Sequence, residues 1–132
     1  ILQADEPEDW VIATGKTTSV REFVKMSFAH VGIELEFGGK GAEEKGFILS
    51  CNNPDYLLPI GKEVLSVDPH YFRPTEVDLL IGDATKAKTK LGWECQYDLS
   101  ELVEEMMQSD IKLMKKEQHL KEGGYTILNY FE

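Results

Sequence analysis

Apolar and polar positions along the chain follow two periods. Val20, Phe23, Val24, Phe28 and Val31 recur at helical spacing. Ser19 stands three residues ahead of Glu22, a capping-box pairing that sets the start of this helix, and Gly32 is a natural stop. Ile33, Leu35 and Phe37 then alternate with Glu34 and Glu36, the pattern of a half-buried strand. Upstream, Trp10-Val11-Ile12-Ala13-Thr14 is a short apolar run closed by Gly15, and it predicts a buried strand. Two more short strands are predicted over 47–51 and 63–67. Asn52-Asn53-Pro54-Asp55 supplies turn chemistry between them, and Asp68-Pro69 stops the second. The stretch around Arg73 reads as extended, because Pro74 disfavours helix at the residue before it.

Asp83 can cap a helix over 84–91 that ends at Gly92. Asp98 and Glu101 form a second capping-box pair and open the longest helix, 99–121. Leu99, Leu102, Val103, Met106, Ile111 and Met114 supply its core stripe, and Gly123-Gly124 ends it. The tail carries Tyr125, Ile127, Leu128, Tyr130 and Phe131, apolar enough to dock rather than hang in water. The resulting order is strand, helix, strand, a loop-rich stretch, helix and long helix. It predicts a small mixed α/β assembly with a thin core, one domain over 1–132. The opening Ile1-Leu2-Gln3 has no initiator methionine and runs into Asp5-Glu6-Pro7-Glu8-Asp9. It reads as a helix end entering a loop, as in a segment of a longer protein.

Size agrees with that picture: 132 residues and 42% hydrophobic content suit one domain with a modest core. The formal charge of −10 argues against a nucleic-acid surface, which needs clustered Lys and Arg. A small anionic ligand held by a few arginines stays compatible with it. No apolar run approaches the roughly 18–20 residues that span a bilayer, and no signal-peptide pattern is present. A cytoplasmic protein away from membranes is the expectation. Cys51 and Cys95 lack zinc or redox spacing and read as buried or half-buried thiols of a reducing compartment.

Several candidate chemistries fail on spacing. Gly15-Lys16-Thr17 resembles the end of a P-loop, but the required glycine five residues earlier is Trp10. Gly38-Gly39-Lys40-Gly41 lacks the dinucleotide spacing and no helix pattern follows, so it is read as a flexible loop within the polar, glycine-rich loop 38–46. His30, His70 and His119 have no metal-ligand or triad arrangement. Glu34, Glu36, Glu43 and Glu44 read as solvated faces, as do Lys86, Lys88 and Lys90. Met106, Met107 and Met114 read as core filler. Arg21 is different. A cation in the first turn of a helix opposes the helix dipole, so its placement needs a reason. A bound phosphate or base is one reading, and a solvated arginine is the other.

Arg73-Pro74-Thr75-Glu76-Val77-Asp78 is the richest stretch, followed by Gly82-Asp83-Ala84-Thr85-Lys86-Ala87 and Lys90-Leu91-Gly92-Trp93. Arg73 offers a guanidinium for phosphate oxygens, and Glu76 a carboxylate for sugar hydroxyls. A plain surface ion pair fits the two residues equally well. The order of these motifs resembles the C-terminal, substrate-binding portion of the extended short-chain dehydrogenase/reductase family. Tyr71-Phe72 ahead of Arg73, and Thr18-Ser19-Val20-Arg21 after Ala13-Thr14-Gly15, are similar to its branch that dehydrates GDP-mannose.

By that resemblance Arg73 holds the diphosphate and Glu76 the ribose hydroxyls, while Arg21 lies at the nucleotide end of the pocket. Asp83, Leu91, Gly92 and Trp93 are structural. The family's glycine-rich Rossmann fingerprint is missing. So is its tyrosine four residues before a lysine, since none of Tyr56, Tyr71, Tyr97, Tyr125 and Tyr130 has that neighbour. The resemblance therefore implies no catalytic, cofactor-binding or metal-binding residue in this chain. In the whole enzyme it implies NADP in a separate Rossmann domain and a homo-oligomer. It further implies oxidation of mannose at C4, loss of water across C5 and C6, and a 4-keto-6-deoxy product on the way to fucose. Two alternatives remain: a dehydratase or epimerase acting on another nucleotide sugar, and a non-catalytic module docking a protein partner.

Overall fold

The structure, a computed structural model, describes residues 6–73 and 79–126. Glu76, the Pro74–Asp78 part of the arginine motif and the tail beyond Thr126 lie outside the described residues. Helix α1 spans Val20–His30. The Ser19 side chain accepts the Glu22 N–H at 3.1 Å, so the predicted cap forms on one side. Its C-terminal end is closed by a neighbouring turn: Asn53 Nδ2 donates to the Val31 carbonyl at 3.0 Å, and the Asn52 N–H donates to the Gly32 carbonyl at 2.8 Å. These bonds satisfy carbonyls that the helix itself leaves open.

Three strands follow: β1 Ile33–Gly38, β2 Lys45–Cys51 and β3 Glu63–Ser66. They form an antiparallel sheet in the order β1-β2-β3, with Ile33 opposite Cys51 and Phe37 opposite Gly46. The alternation foreseen for β1 holds: Ile33 and Leu35 are buried while Glu34 and Glu36 are exposed. The register shifts between Glu34 and Leu35, which leaves Leu49 outside the ladder and about half exposed. Ile48, fully buried at the centre of the sheet, joins Ile33 and Leu35 in the core. Val24 and Phe28 of α1 cover that cluster from one side.

A short helix, α2 Thr85–Leu91, and a long one, α3 Leu99–Glu122, complete the described fold. The capping box of α3 forms in both directions, Asp98 Oδ1 taking the Glu101 N–H and Glu101 Oε2 taking the Asp98 N–H. Helix α2 starts one residue later than the motif suggested. Ala84 holds the cap position, and Asp83 Oδ1 accepts both the Thr85 N–H at 2.9 Å and its hydroxyl at 2.6 Å. At the other end the Trp93 N–H reaches back to the Ala87 carbonyl around Gly92.

Three expectations change. Residues 10–14 form neither strand nor helix, and Val11 and Ile12 are about half exposed. A strand needs a neighbour for its amides, and none of the described strands runs beside this segment. It passes instead along Gly82, where a methyl group would stand 2.6 Å from Ala13 Cβ. The α3 stripe is only partly covered: Val103 is buried, Leu99 and Ile111 are half-buried, and Leu102, Met106 and Met114 are exposed. Leu102 faces an open groove beside Val20 and Phe23, and Met114 faces another beside Tyr56-Leu57-Leu58, so both stay in contact with solvent. Cys95 is exposed, whereas Cys51 is half-buried as expected.

Candidate nucleotide-binding site

Two contacts with the 41–44 turn, and a local turn between them, shape the chain between β3 and Arg73. The Val67 N–H donates to the Glu44 carbonyl at 3.3 Å. Asp68 then turns the chain, its Oδ1 accepting the His70 N–H at 2.9 Å and its carbonyl the Tyr71 N–H at 3.1 Å. His70 and Tyr71 meet edge to face with ring centres 5.2 Å apart. The tip of the Phe72 ring faces Gly41, where a methyl group would stand 3.4 Å from Cζ. Arg73 follows directly and is exposed.

The loop that receives Phe72 is not loose. Residues Gly41–Glu43 form one turn of 3-10 helix, and the Glu44 N–H closes it on the Gly41 carbonyl. Gly39, at φ +83°, lies against the Glu43 carbonyl with no room for a side chain. The sequence reading of a loop over 38–46, flexible at 38–41, is corrected here: Gly38 ends β1, 45–46 begin β2, and a tight turn joins them.

Arg21 is bound to this turn. Its Nε donates to Glu44 Oε1 at 2.7 Å and its Nη2 to Oε2 at 2.8 Å, a two-pronged pair. Hydrogen bonding to the Arg21 guanidinium holds the Glu44 carboxyl below its usual range, and the same contact raises Arg21. The guanidinium also lies 5.7 Å from the Phe37 ring centre, with Lys25 Nζ at 5.8 Å. Glu44 is thus the answer to the arginine placed against the helix dipole. Sequence alone reads Glu44 as part of a solvated face. Its partner is 23 residues away, and no local spacing signals that.

Two grooves lie elsewhere. One of about 740 Å³ runs between Thr14, Lys16 and Thr18 and the start of α3, with Tyr97 and Asp98 on its wall. The other, about 920 Å³ and mostly apolar, lies between Tyr56-Leu57-Leu58 and Met107, Ile111 and Met114. Neither is lined by Arg21 or Arg73. Among the described residues no cluster of His, Cys, Asp and Glu could hold a metal ion, and no helix is long and apolar enough to cross a membrane. Gly38-Gly39-Lys40-Gly41 leads into a 3-10 turn and an antiparallel strand. A dinucleotide pyrophosphate sits at the N-terminus of an α-helix, so these glycines do not fit NADP.

In class the chain is therefore a small mixed α/β fold with a long final helix and an arginine displayed on an anchored turn. A family model described as GDP-mannose 4,6 dehydratase matches residues 1–106, and the chain belongs to that family. It is similar to a GDP-mannose 4,6-dehydratase of Yersinia enterocolitica, 46% identical over 129 residues, covering 96% of this chain and 34% of the relative. One from Vibrio cholerae is 45% identical over 128 residues, with the same two shares, 96% and 34%. The human GDP-mannose 4,6 dehydratase is 49% identical over 115 residues, 87% of this chain and 28% of the relative. The chain spans about a third of the length of these curated relatives, and corresponds to the C-terminal part of the longer dehydratases.

Proposed function

We propose that this chain is the nucleotide-holding part of a GDP-mannose 4,6-dehydratase. Arg73 takes the diphosphate and Glu76 the ribose hydroxyls, and Arg21 lies at the nucleotide end of the same pocket. One observation carries the reading: Arg73 is exposed directly after a turn tied to the Glu44 backbone through Val67, in a chain of this family. A planar, permanently charged guanidinium presented this way suits phosphate oxygens. NADP, oxidation at C4, loss of water and return of the hydride belong to the Rossmann portion of the enzyme, outside this chain. The whole enzyme is read as a cytoplasmic homo-oligomer of the short-chain dehydrogenase/reductase type, making a precursor of fucose.

Calorimetric titration with GDP-mannose, with UDP-glucose as control, tests this. Binding of the GDP sugar alone, independent of magnesium, is expected. Arg73→Ala should weaken it by at least about 30-fold, roughly 2 kcal/mol, the low end for truncating one partner of a charge pair. Unchanged affinity in that variant would sink the assignment. A preference for UDP-glucose would move the chain to a sister activity on other nucleotide sugars.

A further inference from the structure

We propose that Arg21 is a positioning residue for Arg73: its ion pair with Glu44 fixes the turn on which Phe72 rests, and through Phe72 sets where Arg73 presents its guanidinium. This rests on the reading of Arg73 as the diphosphate ligand. The connection is continuous. Arg21 grips both carboxylate oxygens of Glu44. The Glu44 backbone holds the start of the 67–73 segment through Val67, and its N–H closes the turn at Gly41. Gly41 faces Phe72, and Phe72 is bonded to Arg73. Helix α1 is packed on β1 and α3, so the Arg21 anchor is itself held by the core.

Direct contact between Arg21 and a phosphate is disfavoured by the same geometry. The Glu44 carboxylate occupies two of the guanidinium nitrogens at 2.7 and 2.8 Å, and its negative charge would repel a phosphate approaching that side. Glu44 is the more enclosed partner, its side chain 18% exposed against 53% for Arg21. The pair therefore faces the turn and not open solvent alone.

The two roles part on removal of Glu44. A ligand-contacting Arg21 would be freed by Glu44→Ala and bind GDP as well as before or better. A positioning Arg21 would lose its effect. GDP is titrated into the 132-residue chain and into R21A, E44A, R73A and the swapped pair R21E/E44R. Amide exchange is followed without ligand at Val67 and Tyr71, with the Ile48 amide as a folding control. R21A and E44A are each expected to weaken GDP about tenfold, and to speed exchange at Val67 and Tyr71 about tenfold with Ile48 unchanged. The swapped pair should restore both readouts. R21K, which keeps the charge without the two-pronged grip, should fall between wild type and R21A.

Wild-type affinity in E44A, or no rescue by the swap beside a folded core, overturns the proposal. So does unaltered exchange at Val67 and Tyr71 in R21A, whatever the binding result. If R73A binds GDP like wild type while exchange responds as expected, the Arg73 assignment falls and the link from Arg21 to the turn stands.

Discussion

Gly39→Ala is expected to destabilise the chain by about 3 kcal/mol, through two separable costs. The first is conformational. Gly39 sits at φ +83°, and an L side chain in that region costs about 1–2 kcal/mol. The second is steric. A Cβ there would overlap the Glu43 carbonyl oxygen and stand 2.8 Å from its carbon. Those atoms are backbone in a closed 3-10 turn and cannot rotate away, so overpacking of about 1–3 kcal/mol is added. Two other glycines isolate the terms. Gly61 has φ +79° with open space around its missing Cβ, so Gly61→Ala should show the conformational cost alone. Gly38 has ordinary backbone and meets only Phe47 Cε2 at 3.7 Å, so Gly38→Ala should be close to neutral. With a urea slope of about 1.5 kcal/mol per molar, the midpoints should fall by about 2 M, about 1 M and about 0 M respectively. Equal shifts for Gly39→Ala and Gly61→Ala would refute the steric term, and with it the view of 39–44 as a closed turn.

Ile48→Ala, at a fully buried position between Ile33 and Leu35, should cost about 3 kcal/mol and lower the melting temperature by roughly 10 °C; a loss below about 1 kcal/mol would mean the site collapses freely. Asp98→Ala removes one arm of the reciprocal cap of α3 and should cost about 1 kcal/mol, read from urea midpoints, with an unchanged midpoint counting against the cap. Acid should weaken the Arg21 tie. Glu44 titrates below its ordinary 4.5 in the fold because Arg21 bonds it, so its contribution is complete above that value and is lost as pH falls through the lower folded value. The stability gap between wild type and Glu44→Gln should therefore be widest at neutral pH and narrow in acid; a gap that stays constant from pH 7 to pH 3 would contradict the pairing.

Elements written in neighbouring residues were readable. The cap and apolar spacing of α1, the alternation of β1, and the Asp98 and Glu101 box of α3 each depend on side chains within one or two turns of one another. What failed depended on distant partners. Trp10-Val11-Ile12-Ala13-Thr14 has the composition of a buried strand, but a strand is defined by the chain that pairs with it. The α3 stripe has the right period along its length, but Leu102 and Met114 face open grooves where no other element among the described residues covers them. Cys95 looked like Cys51 in composition and differs only in what lies over it.

The candidate site divides along the same line. Arg73 stood out because arginine, proline and a nearby carboxylate form a local motif with chemical meaning. Its support did not stand out. Glu44 carries no local signal, since in its own neighbourhood it is one acid among several, and its value comes from Arg21 on another element. Gly39 and Gly41 looked like flexibility, because glycine composition alone does not separate a loose loop from a turn too tight for any side chain. In the fold neither glycine serves as a loose joint: one permits a closed turn and the other leaves a bare face for Phe72. A ligand-binding arginine is useful only if its backbone is held, and here the residues that hold it are those whose types suggest solvent and disorder. The search for supporting residues in such chains should therefore begin with acids and glycines placed between two elements, where a single ion pair can decide the position of a loop.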